Sequence, residues 1–187
     1  PVDIHLKGFE KFGAKISMDK GNIIIKARKL NPAKIILSFP SVGATQNLMM
    51  CASLIPGKTI IENGAREPEV FDLIAALNSM GADITLDNRG CIIVEGKTKL
   101  GGMTHTIVAD RIETGTYLLA AAATGSSITI KECVPSHNEI LIEYLCEAGF
   151  KIETTDTEIK ISKKTKNIKP VNIRTAPFPG FATDLQA

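Results

Sequence analysis

Apolar residues recur at helical spacing in three stretches of the chain, and each time they give way to alternation with a period of two. Leu73, Leu77 and Met80 lie on one helical face and run into Gly81, a residue suited to a helix C-terminus. Beyond it Ala82, Ile84 and Leu86, then Ile92 and Val94, alternate with polar residues around an Asp-Asn-Arg-Gly turn, the pattern of a hairpin. The same helix-then-hairpin order starts near His5, Asp72 and Ile140, and Gly13, Gly81 and Gly149 stand 68 residues apart. The pattern therefore predicts an internal repeat.

The other half of each unit recurs as well. KIILSFPSVGATQNLMMCASLIPGKTIIENG, THTIVADRIETGTYLLAAAATGSSITIKEC and PVNIRTAPFPGFATDLQA each read as a strand, a polar turn and a helix, and the first two add a further strand. Three units of two helices and about four strands follow, spanning about 1–66, 67–135 and 136–187, the last lacking its second helix. Tyr117 to Ala123 has no polar face, which predicts a helix buried on all sides, with helices at the centre and sheets outside. With no Gly/Ser-rich linker between the repeats, residues 1–187 read as a single domain of the α/β (α+β) class.

Composition narrows the function. The 187 residues are 44% hydrophobic, enough for a core, and carry a net charge of +2 with both signs mixed along the chain. A nucleic-acid partner would call for a concentrated basic face, and the one basic run, Lys163 to Lys169, reads as a solvated loop. Cys51, Cys91, Cys133 and Cys146 fit no metal-ligand spacing and read as free thiols of a reducing cytosol. No apolar run reaches the length of a membrane span, and no charged-then-apolar leader opens the chain. The chain starts at Pro1 and stops at Ala187 just as a helix begins, so both ends read as cut.

Several stretches depart from the packing pattern. In Phe39 to Thr45, Pro40 discourages helix at Phe39, Ser41 is a good N-cap and Gly43 admits close approach to the backbone; free amides at such a helix start attract phosphate or another anion. Taken alone, ordinary capping is the better reading of the stretch. Asp110, Arg111 and Glu113 stand at the head of an apolar helix, and Ala65 to Glu69 has similar character, so these charges pair or face a cleft. In Arg174 to Asp184, two prolines and a glycine stiffen a turn that places Thr183 and Asp184 at a helix start, where Asp184 is either a cap or a base for a substrate hydroxyl. His5, at the head of the first helix, is either a surface residue or a donor to phosphate.

Taken in order, PVDIH, PSVGAT, ENGAREPEV, LGG, DRIETGTYL and NIRTAPFPGFATDLQA resemble the UDP-N-acetylglucosamine 1-carboxyvinyltransferase (UDP-N-acetylglucosamine enolpyruvyl transferase) family, and the resemblance runs along essentially all 187 residues. It implies an inside-out α/β barrel domain of three repeats. The implied activity is transfer of the enolpyruvyl group of phosphoenolpyruvate to the 3′-hydroxyl of UDP-N-acetylglucosamine. That is the first committed step of peptidoglycan synthesis, hence cell-wall biogenesis, cell shape, cell cycle and cell division, in the cytoplasm and without metal or cofactor.

By position, the resemblance matches Pro1, Val2, Asp3 and Ile4 to a loop holding uridine, His5 to a residue near the diphosphate, and Ser41, Val42 and Gly43 to helix-start contacts with the nucleotide. It matches Asp184 to the base at the 3′-hydroxyl, with Thr183 beside it. Glu67, Asp110 and Glu113 remain secondary cleft candidates. Phe39 departs from members that carry Lys there. The resemblance places the catalytic acid, Cys or Asp, before Pro1, and the residues that clamp phosphoenolpyruvate mainly in a second domain of the same chain, absent here. The chain by itself is thus expected to bind the nucleotide sugar without turnover. A 5-enolpyruvylshikimate-3-phosphate synthase-like transferase and a non-catalytic repeat scaffold are the competing readings.

Overall fold

The structure is a computed structural model that describes residues 2–163 and 168–186. Pro1, and residues 164–167 of the basic run, lie outside the described residues. The contacts group into two compact units, 1–107 and 108–187.

The first unit contains helices α1 (Asp3–Lys11), α2 (Val42–Ala52) and α3 (Pro68–Ser79). Its strands are β1 (Lys15–Asp19), β2 (Asn22–Lys26), β3 (Lys34–Ile36), β4 (Gly57–Glu62), β5 (Ile84–Leu86) and β6 (Ile92–Gly96). β1 and β2 form a two-stranded antiparallel hairpin whose turn residues Lys20 and Gly21 both have positive φ, 47° and 83°, the backbone that a two-residue turn between right-twisted strands requires. The other strands form one sheet in the order β3-β4-β6-β5, parallel only between β3 and β4. That parallel step needs a crossover, which α2 supplies.

The predicted turn between β5 and β6 is held by Asp87, whose Oδ1 accepts from the amides of Arg89 and Cys91, each at 2.9 Å. Alternation also holds on β6, where Ile92 and Val94 are buried, but Leu86 at the end of β5 is 40% exposed. Phe12, Leu48, Met49, Ile61, Val70 and Val94 are fully enclosed at the centre of this unit. Each such side chain contributes about 1.5–3 kcal/mol of transfer free energy.

The second unit contains α4 (Arg111–Thr124), β7 (Ile128–Lys131), a 3-10 turn (Pro135–Asn138), α5 (Glu139–Ala148), β8 (Phe150–Thr154), β9 (Glu158–Lys163) and a 3-10 turn (Thr183–Leu185). Its sheet, β7-β9-β8, is antiparallel throughout. Leu118, Leu141, Ile159 and Ile161 form the middle of its core.

The division at 107/108 falls inside the second expected repeat, 67–135, because β6 pairs back onto β4, which precedes α3. Residues 97–110 form no helix or strand, so the strand expected at Thr104 to Asp110 is absent. The segment is instead tied down by single contacts, among them Gly101 N–H to the Met80 carbonyl at 2.7 Å and His105 Nε2 to Asp72 Oδ1 at 2.9 Å.

The expectation that the helix around Tyr117 to Ala123 is buried on all sides is also corrected. Leu118, Ala121 and Ala122 of α4 face the core of the second unit, but Tyr117 is 57% exposed, and Ala120 and Ala123 are exposed. Small residues all round a helix permit close packing on any side without requiring it. No helix among the described residues is long and apolar enough to cross a membrane.

Candidate functional site

Seven of the residues singled out in the sequence lie at the head of α1 or of α2. Val2 is the N-cap position of α1, Asp3 pairs with Lys7 at 3.5 Å on the surface, and Ile4 packs against the core. His5 reaches across to α2: a methyl group placed on Gly43 would lie 3.4 Å from His5 Cε1 and 3.6 Å from its Nε2. Its other nitrogen, Nδ1, is 2.9 Å from Asn47 Nδ2. With the Asn47 amide donating, the imidazole is accepting at Nδ1 and carries its proton on Nε2, on the side of Gly43.

The head of α2 has the predicted cap. Ser41 Oγ accepts from the Ala44 amide at 3.3 Å, and the first helical bond runs from Thr45 N–H to the Ser41 carbonyl at 2.9 Å. Ahead of that bond, the amides of Val42 and Gly43 are the donors that helix geometry leaves over. Thr45, fully buried, fastens this turn: its hydroxyl donates to the Ser41 carbonyl at 2.7 Å and accepts from the Ala65 amide at 2.9 Å. Gln46 Nε2 donates to the Glu69 carbonyl at 3.5 Å, a further link from α2 to the first turn of α3. His5, Ser41, Val42 and Gly43 thus converge, and together they present N–H donors, an arrangement fit for an anion. Phe39, 55% exposed, adds no charge.

The acidic candidates divide. Glu67 is buried at 6% exposure at the N-cap position of α3, followed by Pro68. Asp110 caps α4, accepting from the amides of Ile112 at 2.7 Å and Glu113 at 3.0 Å, so capping accounts for it. Glu113 is exposed. A cavity of about 370 Å³ between α1 and β3, lined by Ile4, Lys7, Lys11 and Ile36 among others, shares only Ile4 with the expected site. Among the described residues, no group of three His, Cys, Asp or Glu is placed to hold a metal ion.

In the second unit, the Arg174 to Asp184 stretch folds back on itself. Thr175 bridges to Phe181, the Ala176 amide donates to the Phe181 carbonyl at 3.0 Å, and the Gly180 amide donates to the Pro177 carbonyl at 2.8 Å. The Phe178–Pro179 peptide bond is cis. Arg111 lies over the Phe178 ring, 5.7 Å from its centroid. Thr183 and Asp184 are exposed on a single 3-10 turn rather than on the helix that the sequence suggested. Leu185 and Phe181 on either side are 7% and 4% exposed and anchor it.

Asn47 and Thr45 were missed by sequence reasoning. Asn47 stands four residues after Gly43, hence on the same helical face, and that spacing was the available signal. Thr45 acts through Ala65, twenty residues away. No local pattern announces such a contact.

A sequence model of the family "EPSP synthase (3-phosphoshikimate 1-carboxyvinyltransferase)" matches residues 1–187. UDP-N-acetylglucosamine 1-carboxyvinyltransferase of Elusimicrobium minutum is 65% identical over the whole chain, which covers 44% of that relative. The relative of that name in Prochlorococcus marinus (strain AS9601) is 51% identical, with 100% of this chain and 41% of the relative covered. UDP-N-acetylglucosamine 1-carboxyvinyltransferase 2 of Bacillus subtilis is 46% identical, with 100% and 43% covered. The chain thus spans less than half the length of the curated relatives it matches.

Among solved structures, the enolpyruvyl transferase NikO of Streptomyces tendae superposes with a TM-score of 0.82 at 22% identity, covering 100% of this chain and 47% of that one. An EPSP synthase of Acinetobacter baumannii superposes with a TM-score of 0.63 at 18% identity, covering 93% and 42%. At those identities the likeness speaks for the fold, a mixed helix-and-sheet fold shared with enolpyruvyl transferases. With the family match running along its entire length, the chain belongs to the EPSP synthase (3-phosphoshikimate 1-carboxyvinyltransferase) family.

Proposed function

We propose that the full-length protein carrying this chain transfers the enolpyruvyl group of phosphoenolpyruvate to the 3′-hydroxyl of UDP-N-acetylglucosamine and releases phosphate, in the cytoplasm, as the first committed step of peptidoglycan synthesis. The observation that carries the proposal is 65% identity along the whole chain to a relative named for this activity, against 18% to a solved EPSP synthase. The shikimate-pathway relative therefore remains a likeness of fold.

In this reading the Val42 and Gly43 amides, with the Nε2–H of His5, receive the diphosphate. The loop of Pro1, Val2, Asp3 and Ile4 holds the uridine. Ser41 shapes the turn through its cap, and the hydrogen of its hydroxyl is not used by that bond. Asp184 takes the proton of the 3′-hydroxyl while the freed oxygen bonds to C2 of phosphoenolpyruvate, and an acid outside these residues protonates C3. The resulting tetrahedral intermediate loses the C3 proton and phosphate together, which restores the double bond. Thr183 lies beside Asp184 on the same turn. These 187 residues alone bind the nucleotide sugar without turnover, because the acid and the phosphoenolpyruvate clamp lie elsewhere in the protein, largely in a second domain.

The finer architecture belongs to the same proposal: repeats of one unit, helices inside and sheets outside. The pairing rule β4 with β6, repeated as β7 with β9, supports the repeat, since each joins the strand after one helix to the last strand of the following hairpin.

Asp184→Ala in the full-length enzyme tests the assignment. Loss of a general base lowers kcat by about 10²–10⁴-fold, with nucleotide-sugar affinity nearly unchanged. An unaltered kcat removes Asp184 as the base.

A further inference from the structure

We propose that Gly115 and Leu185 form a shape lock that positions Asp184, resting on the assignment of Asp184 as the base. Asp184 sits exposed on a three-residue 3-10 turn, too short to hold its own geometry, so its placement depends on what its neighbours touch. The next residue, Leu185, is 7% exposed and sits on α4 at Gly115.

A methyl group on Gly115 would lie 2.7 Å from Leu185 Cδ2, 3.1 Å from Leu141 Cδ2 and 3.2 Å from Asn138 Oδ1. Carbon atoms in contact sit about 3.5–4.0 Å apart. The notch left by the missing side chain is therefore filled by Leu185, and its walls, Leu141 and Asn138, are buried at 1% and 4% exposure.

The backbone conformation at this position does not call for glycine. Gly115 lies within α4 and is not among the positive-φ glycines. Mid-helix glycine weakens a helix relative to alanine, so helix propensity favours the larger residue. What glycine supplies here is room. On the other side of the turn Phe181 is buried against Tyr144, with ring centroids 5.8 Å apart. A methyl group at 115 pushes the Leu185 Cδ2 by about 1 Å. Because Leu185 is buried, with Leu141 and Asn138 walling the notch, the shift is passed to the turn that carries Asp184, where a misplacement of that size costs up to about 10²-fold in rate. Gly115 and Leu185 are positioning residues, acting through Asp184.

The test is steady-state kinetics of the full-length enzyme with Gly115→Ala, Leu185→Val, Asp184→Asn and the combinations of each with Asp184→Asn. Gly115→Ala is expected to lower kcat by about 10–100-fold while KM for the nucleotide sugar moves less than about threefold. Combining it with Leu185→Val, which reopens the notch, is expected to recover at least about fivefold of that loss. In the Asp184→Asn background Gly115→Ala should lower kcat no further, because both act on one carboxylate.

If Gly115→Ala does not fold, Leu185→Val alone is read by the same criteria, a lower kcat that vanishes as an effect in Asp184→Asn. Wild-type kcat in the folded Gly115→Ala protein beside an impaired Asp184→Asn overturns the lock and leaves the base assignment standing. A full multiplicative loss in the Asp184→Asn background likewise overturns it. Wild-type kcat in Asp184→Asn overturns the base assignment and the lock with it.

Discussion

Thr45 shows how one buried hydroxyl can decide the geometry of the turn at a helix start. It donates to the carbonyl of the cap residue Ser41 and accepts from the Ala65 amide, joining the head of α2 to the loop before α3. Thr45→Val keeps the shape but leaves the buried Ala65 donor without a partner. That is expected to cost about 1–3 kcal/mol in urea unfolding and, in the full-length enzyme, to raise KM for the nucleotide sugar more than it lowers kcat. An unchanged unfolding midpoint contradicts this role.

Asp87 offers a titratable counterpart. The Cys91 amide, then the Arg89 amide and guanidinium, hold its carboxyl below the usual carboxylate range against the opposing effect of desolvation. Because the folded value is depressed, its stabilisation is fully present above the unfolded pKa, about 3.9 for Asp, and is lost as pH falls through the folded value. Asp87→Ala should therefore destabilise at pH 7 and lose less stability than wild type on acidification below about pH 4. Urea midpoints at pH 7 and pH 3 check the difference, and equal pH dependence in the two proteins contradicts it.

Helix ends and hairpins were the most legible elements. Gly13, Gly81 and Gly149, the three residues that set the repeat, have φ values of 97°, 95° and 107°, a conformation L-residues seldom adopt. The periodicity switch at those points is thus a direct physical signature. Gly81 isolates the effect, since a methyl group there would meet nothing within 4 Å. Gly81→Ala is expected to cost about 1–2 kcal/mol from backbone conformation alone, read by thermal or urea unfolding, and a neutral result would show that the position tolerates a side chain.

Elements whose state depends on distant contacts were less legible. The apolar run of α4 reads the same whether one face or every face is covered, and the structure leaves Tyr117 open. Thr104 to Asp110 reads as a strand by likeness to the other repeats but is secured by isolated contacts such as His105 to Asp72 instead. In the candidate site, Ser41 was readable because capping is local. Asn47 beside His5, and Leu185 on Gly115, were not, because the partner lies far along the chain.

For the whole molecule, family membership and activity stand on different ground. Membership follows from a match along all 187 residues and from the shared fold, whereas activity belongs to a protein of which this chain covers 44% of a close relative's length. The acceptor is the decisive chemical question, since the family includes enzymes named for shikimate 3-phosphate and relatives named for UDP-N-acetylglucosamine. In the proposed function the donor-rich head of α2 beside His5 receives a diphosphate; the contacts with Thr45 and Asn47 hold Ser41 and His5 in place there. The measurement that bears most directly on the account is phosphate release by the full-length enzyme from phosphoenolpyruvate, with each acceptor supplied separately. Release that depends on UDP-N-acetylglucosamine and is absent with shikimate 3-phosphate is the predicted result; release driven by shikimate 3-phosphate, with none from the nucleotide sugar, would contradict it.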